Sequence, residues 1–362
     1  MQDLKISKRK TLRSQISDYL RDSILRGEIE AGSRLPSTTA LAERWGTQTA
    51  NVHAALSLLV QEGLLTRKNG VGTIVNKRKE ELNSILIYLS QNITLPSENF
   101  YRQLHICIKD ELDKRGIQQK VIYKSYDHDH FSDVMELTGK GLVQGLISMS
   151  IDKDEREKLK KLPVPFSCVT TARIPNRVSL SFNSLIEKVC EGFALQGCKK
   201  AGLLLATEAE DINESGAIER RNFIENLQKM LKENGIEVRP EWVCTPANNN
   251  NDIRLNPDQF AYDGFNHIWS SEEKPEGIFV YTDALISGTL ISILSNRVMV
   301  PEDLKLVLHR NSECKVLCPL PCVFIENNVK EMATGLVQLI IDQYHGKEVK
   351  QIDFEYKLID NT

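Results

Sequence analysis

Apolar residues in the first quarter of the chain recur at helical spacing. Leu12, Ile16, Tyr19, Leu20, Ile24 and Leu25 fall three and four residues apart, which predicts one helix with a single buried face ending near Gly27. "EAGSRLPS" breaks the pattern. Ser37 follows Pro36 and is placed to cap the short segment "TTALAERWG", which buries Leu41 and Trp45 and stops at Gly46. From Gln48 to Glu62 the apolar stripe is Val52, Ala55, Leu56, Leu59 and Val60, and the other face carries Gln48, Thr49, Asn51, His53 and Ser57. "LLTRKNGVGTIVN" then reads as strand, tight Asn69-Gly70 turn, strand. The sum is a helix-turn-helix with a wing.

After the charged stretch "NKRKEELNS" the period changes. Short apolar runs ("ILIYLS", "QKVIYKS", "GLISMS", "VPFSCVT", "KAGLLLA", "GIFVYT", "LKLVLH", "IDFEYKLI") alternate with amphipathic helices at Tyr101 to Arg115, Phe131 to Lys140, Leu185 to Gly197, Ala217 to Asn234, Ala284 to Ser295 and Val329 to His345. Buried runs alternating with helices predict doubly wound α/β sheets, and the stretch is too long for one such core, so two lobes are expected. The expected organisation is a winged helix-turn-helix domain at 1–77, a linker at 78–84 and a two-lobed domain at 85–362. Lobe 1 would span about 85–180 and 328–346, and lobe 2 about 181–327 and 347–362.

Charge sharpens this division. Residues 1–79 hold 14 Lys and Arg against 7 Asp and Glu, and the remainder holds 32 against 42. A basic head on an acidic body suggests that the head alone meets a polyanion. Arg9, Lys10, Arg13, Arg34, Arg44, Arg67 and Lys68 surround the polar helix face and can neutralise phosphates, while short polar side chains suit entry into a major groove. The rival reading has the winged helix contacting protein. No apolar run approaches the roughly 18 residues that span a bilayer, and the polar start "MQDLKISKRK" is no secretion signal, so a cytoplasmic protein is expected. Eight scattered cysteines contain no CxxC; Cys314, Cys318 and Cys322 are spaced evenly, but Pro319 and Pro321 interrupt the helix that would align them, so no metal is expected. No catalytic triad order, P-loop or GxGxxG turn occurs, so neither an enzyme nor a cofactor is expected.

"QISDYLRDSILRGEIEAGSRLPSTTALAERWG" with "AALSLLVQEGLLTRKNGVGTIV" resembles the DNA-binding domain of the GntR family. The resemblance implies contacts to an operator from Thr39, Gln48, Thr49, Asn51, His53, Asn69 and Gly70. With Arg9, Arg34, Ser37, Arg67 and Lys68 these make up the candidate DNA-binding set. Thr39, Gln48-Thr49 and His53 stand where that family usually has arginine contacts, so the operator need not match its common half-site. "EGFALQGCKKAGLLLA", "ERRNFIENLQKML", "KPEGIFVYTDALISGTLISILSNRVMVPEDLKLVLH" and "EYKLI" resemble the effector domain of LacI-type repressors and sugar-binding periplasmic proteins, of type I. Ligands in such folds lie outside the carboxyl ends of the strands. The candidate effector residues are Asn92, Tyr101, Tyr126, Ser150, Arg220, Asp283, Arg310 and Asn327. Glu219 stands where the family usually has a ligand-binding arginine, and Arg310-Asn311 where it has an acidic pair. Arg310 either holds an anionic effector or pairs internally with Glu313 or Glu326. A GntR-type head on a LacI-type body is the arrangement of the arabinose-responsive repressor subgroup. It implies a homodimer on double-stranded DNA that responds to a sugar or sugar acid, with no membrane partner.

Overall fold

The computed structural model describes residues 11–25, 28–62, 64–68, 70–76, 81–124, 130–149, 151, 153–170, 174–206, 215–246 and 253–362. The chain forms two compact units, Met1–Glu81 and Leu82–Thr362.

In the first unit, helices α1 (Leu12–Leu25), α2 (Thr38–Arg44) and α3 (Thr49–Gln61) precede the strands β1 (Leu65–Lys68) and β2 (Gly72–Val75). Ile16, Leu20, Leu41, Trp45, Val52, Ala55, Leu56 and Leu59 form one core, closed by Leu65 and Val75 from the strands. Val60 is only half-buried at its edge. Ser37 caps α2 as expected, its Oγ accepting from the Ala40 amide at 3.1 Å. β1 and β2 are antiparallel from Leu65↔Val75 to Lys68↔Gly72. The connection therefore has three residues, not the two-residue turn expected. Gly70 at φ +74° and Gly72 at φ +111° adopt a backbone that favours glycine and make the longer loop possible. Leu35 donates to the Thr73 carbonyl at 2.9 Å, so the loop before α2 is tied to the wing by an isolated bridge at Arg34↔Ile74. The expected helix stop at Gly27 and the turn residue Asn69 lie outside the described residues.

The second unit has two lobes, each a six-stranded sheet among the described residues. The first lobe contains β3 (Ser84–Ser90), α4 (Asn99–Lys114), β4 (Gln118–Lys124), α5 (Phe131–Gly139), β5 (Leu146–Ser148), α6 (Lys153–Leu159), β6 (Phe166–Val169) and β7 (Arg177–Leu180). The second contains α7 (Phe182–Leu195), β8 (Ala201–Leu205), α8 (Ser215–Glu233), β9 (Val243–Cys244), α9 (Pro257–Trp269), β10 (Gly277–Tyr281), α10 (Ile286–Ser295), β11 (Lys305–Asn311) and β12 (Cys322–Asn327). The chain then returns through α11 (Val329–Tyr344) and β13 (Ile352–Phe354) to the first lobe, and closes with β14 (Lys357–Asn361) in the second. Strand order is β13-β7-β6-β5-β3-β4 in the first sheet and β14-β12-β11-β10-β8-β9 in the second. All pairs are parallel except β12 with β14. Both faces of each sheet are covered: α4 and α11 pack on one face of the first and α5 on the other, α9 and α10 on one face of the second and α7 and α8 on the other. This is the doubly wound, two-lobed architecture that the apolar pattern predicts.

The tail departs from expectation. Residues 347–362 were assigned to lobe 2, yet Ile352–Phe354 pairs with β7 in the first sheet. Ile352 and Phe354 pack against Gly335 of α11, where a Cβ would lie 3.3 Å from either side chain. Tyr356 instead enters the core of the second lobe. One apolar alternation thus serves two sheets, and the chain crosses between lobes at Glu355. The other crossings fall at Ser181 and Asn328. Ser181 and Phe354 join two of them through an amide-to-carbonyl bond of 2.9 Å, and Tyr356 N donates to Ser184 Oγ at 3.0 Å. Helices α6 and α9 and strands β7, β9 and β12 go beyond the elements expected from the sequence.

Candidate nucleic-acid interface and effector cleft

The polar face of α3 is open to solvent at Gln48, Thr49 and His53, and Thr39 of α2 is exposed as well. Gln48 occupies the N-cap position without using its side chain to cap, which leaves its amide available. Asn51 is half-buried, and its Nδ2 donates to Thr47 Oγ1 at 3.1 Å, which orients the amide and leaves Oδ1 and one N–H to read a base edge. The Ser37 hydroxyl is committed to its cap. On the wing, Arg67, Lys68 and Gly70 are exposed. Arg67 reaches back to α3, its Nη1 donating to His53 Nε2 at 2.9 Å. Arg34 lies along Gly72, where a Cβ would come within 2.8 Å of its Nε, so glycine there lets the guanidinium lie flat on the wing. Arg21 of α1 clamps Glu62 at the end of α3 through bonds of 2.9 and 2.7 Å and holds that carboxyl below its usual range. The clamp ties α1 to the end of α3. Arg9 and Asn69 lie outside the described residues.

In the second lobe the carboxyl ends of β10, β11 and β12 bring together Asp283, His309, Asn311 and Asn327, all buried. Asn311 and Asn327 are register partners on adjacent strands. Asn327 is 1% exposed and both of its amide atoms lack a hydrogen-bond partner; so does Asp283 Oδ2, on a residue 8% exposed. Unpaired buried polar groups cost free energy, and they persist where something else uses them. His309 sits against Tyr281 (ring centroids 4.8 Å) and Tyr356 (5.7 Å). Burial pushes its pKa down to about 4, opposed only in part by the Asp283 charge, so the imidazole is neutral near pH 7. The aromatic wall continues through Phe223 to Phe182.

Arg310 points the other way. Its Nε donates to Glu326 at 2.6 Å and its guanidinium stacks on Phe324 at 4.1 Å. Of its two possible roles, the internal pair is the one observed. The alternation of β11 explains this: Arg310 shares the sheet face of Leu306 and Leu308, and His309 and Asn311 take the opposite one. In the first lobe Tyr101 is half-buried on the first turn of α4, against Phe100. Asn92 lies in a short 3₁₀ turn after β3 and Arg220 in α8, but their side chains, like Tyr126 and Ser150 altogether, lie outside the described residues. His309 and Asn311 flank Arg310 at the strand end that the sequence points to, and strand alternation turns them, and not Arg310, toward the site. One residue near the site carries no signal in the sequence. Arg102 of α4 donates to the Ile93 carbonyl and Asn99 Oδ1, each at 3.1 Å, and lies close enough to lower the Cys314 pKa while burial and Asp283 raise it.

A winged helix-turn-helix followed by a two-lobed binding-protein-like fold joins an exposed polar helix face to a cleft lined by buried polar groups. Comparisons with known proteins agree. Residues 12–75 match the bacterial regulatory proteins of the gntR family, and residues 191–357 match the periplasmic binding protein-like domain. The chain is 21% identical over 350 residues to the arabinose metabolism transcriptional repressor of Halalkalibacterium halodurans, covering 90% of this chain and 87% of that protein. It is 22% identical over 276 residues to the uncharacterized HTH-type transcriptional regulator YkvZ of Bacillus subtilis, covering 75% of this chain and 80% of that one. Among solved structures, a LacI family transcription regulator from Clostridium acetobutylicum superposes with a TM-score of 0.61 at 18% identity, over 77% of this chain and all of its own. The chain thus carries a gntR-family helix-turn-helix domain joined to a periplasmic-binding-protein-like domain.

Proposed function

We propose that the protein is a DNA-binding repressor of sugar metabolism whose grip on its operator is set by a small sugar or sugar-derived effector held between the two lobes. The observation that carries the effector half is the set of buried, unpartnered polar groups on Asp283 and Asn327 at the strand ends. A polyhydroxylated ligand supplies the donors and acceptors they lack. Arg310, neutralised by Glu326, adds no cation there, so a neutral effector is favoured over an acidic one. The DNA half is supported by the exposed polar start of α3, the cations around it and the gntR match. Residues 1–77 would act as the reader, 78–84 as the join and 85–362 as the effector-binding and dimerising part. Exposed apolar side chains on α10, Ile291 at 54% and Leu294 at 66%, support a second copy as the partner, and two readers would then meet two half-sites about one helical turn apart. Among the described residues no helix is long and apolar enough to cross a membrane.

Two assays test the proposal. Thermal shifts with pentoses, hexoses and sugar acids identify the effector, since a ligand that binds the folded state raises the melting temperature. Gel shifts of the whole protein on its own promoter region, with and without that sugar, follow. Replacing Thr49 and Asn51 with alanine abolishes sequence-specific retardation if α3 reads the groove. Retention of the shift by that variant sinks the reading.

A further inference from the structure

The contact between helix and wing has a chemistry of its own. Arg67 Nη1 donates to His53 Nε2 at 2.9 Å, and Arg67 Nη2 donates to the His53 carbonyl at 3.4 Å. A guanidinium has donors only, so Nε2 must accept, and the imidazole carries its proton on Nδ1. The bond therefore fixes the histidine tautomer and holds the arginine in one orientation. Both side chains are exposed in the first unit, His53 in the first half of α3 and Arg67 on β1. Among the described residues no carboxylate pairs with Arg67. What the pair shows to solvent is donors: His53 Nδ1–H and the remaining N–H groups of the guanidinium. A guanidinium held at one end by a neighbouring side chain also loses less side-chain entropy when it binds.

Resting on the DNA-binding reading above, we infer that His53 and Arg67 form one composite reading unit that selects guanine in the major groove. Arg67 contacts the base, and His53 is the positioning residue. Guanine presents two acceptors, O6 and N7, on that edge. Cytosine offers an amino donor and thymine a methyl group beside a single acceptor, so neither matches a donor-only unit as well. The guanidinium thus reaches the groove from the wing, braced by the helix, although the helix position itself is a histidine.

The test uses the full-length protein and its His53→Ala, His53→Gln, Arg67→Ala and doubly alanine variants. Each selects duplexes from a randomised pool, and the enriched sites are then titrated against salt. The wild type is expected to enrich guanine at one position of each half-site, by on the order of tenfold over other bases. His53→Ala and Arg67→Ala lose that same preference, and the double variant loses no more than either alone. His53→Gln keeps it, because its Oε1 can accept from Nη1. Melting temperatures stay within a degree or so of wild type, as both side chains are exposed. The inference is overturned if His53→Ala keeps a guanine preference that Arg67→Ala loses, or if the two lose different positions additively. It is also overturned if Arg67→Ala weakens all duplexes alike and lowers the salt slope by about one, which marks a phosphate contact. A wild type that enriches no sequence overturns the DNA-binding reading itself.

Discussion

His309 makes the acid stability of this protein predictable. The imidazole is fully buried, finds no hydrogen-bond partner for either nitrogen, and is packed between Tyr281 and Tyr356. Burial lowers its pKa from 6.5 to about 4. In the unfolded chain the same ring takes up a proton near pH 6.5, while the folded protein resists until about pH 4. Between those values the unfolded state binds more protons, so stability falls as the pH falls. The slope is about 1.4 kcal/mol per pH unit for one group, which gives about 3 kcal/mol across the window. Above pH 6.5 the contribution is constant, and below about pH 4 the loss is complete. Urea unfolding of wild type and His309→Phe at half-unit steps from pH 4 to 8 isolates the effect. Carboxylates elsewhere titrate in both proteins and cancel in the difference. The variant should lack the wild-type decline between pH 6.5 and 4, with the two curves parallel above. Curves that stay parallel throughout would mean that His309 takes up its proton in the folded state, and the neutral, buried imidazole on β11 would be wrong.

Other substitutions probe other parts of the account. Asn327→Leu removes two unpaired buried polar atoms and should raise the unliganded melting temperature by a few degrees, from a gain of about 1–3 kcal/mol, while abolishing the sugar-induced shift; a lower melting temperature with an intact shift contradicts the role given to Asn327. Gly288→Ala would drive a Cβ into the Asp258 carbonyl and force α9 from α10, which should cost about 3 kcal/mol in chemical denaturation. Leu294→Arg places a charge on the exposed face of α10 and should shift sedimentation from dimer toward monomer without lowering the melting temperature of the monomer.

Legibility in the sequence varied with how local the determinants are. The elements of the first unit are legible because they are bounded by short-range chemistry, as at Ser37, Gly46 and the wing glycines, although the wing loop is one residue longer than its sequence suggests. Helix α9 carries comparable signals, an Asn256 cap, Pro257 at its start and a stripe through Phe260, Ala261, Phe265 and Ile268. Strand β12 begins at Cys322, directly after the prolines at 319 and 321, and is short enough to read as loop. The Arg310–Glu326 pair, one of the two alternatives open in the sequence, is settled by β12 lying beside β11 in the register Arg310↔Glu326. The division of the tail was not legible at all. Ile352, Phe354, Tyr356 and Leu358 alternate without a break, and only the packing of Ile352 and Phe354 on α11 turns the chain from one sheet to the other. Asp283 can be placed at a strand end from the sequence and Asn327 only once β12 is known, and the unpartnered atoms of both are a property of the packed lobe.

The most direct measurement of the central claim is a fluorescence anisotropy titration of the operator duplex, at fixed salt, with the full-length protein in the absence and presence of a saturating sugar already shown to bind. The account predicts that the sugar changes operator affinity by about 5- to 150-fold, and that operator changes sugar affinity by the same factor. A sugar that binds tightly and leaves the operator isotherm unmoved would contradict it.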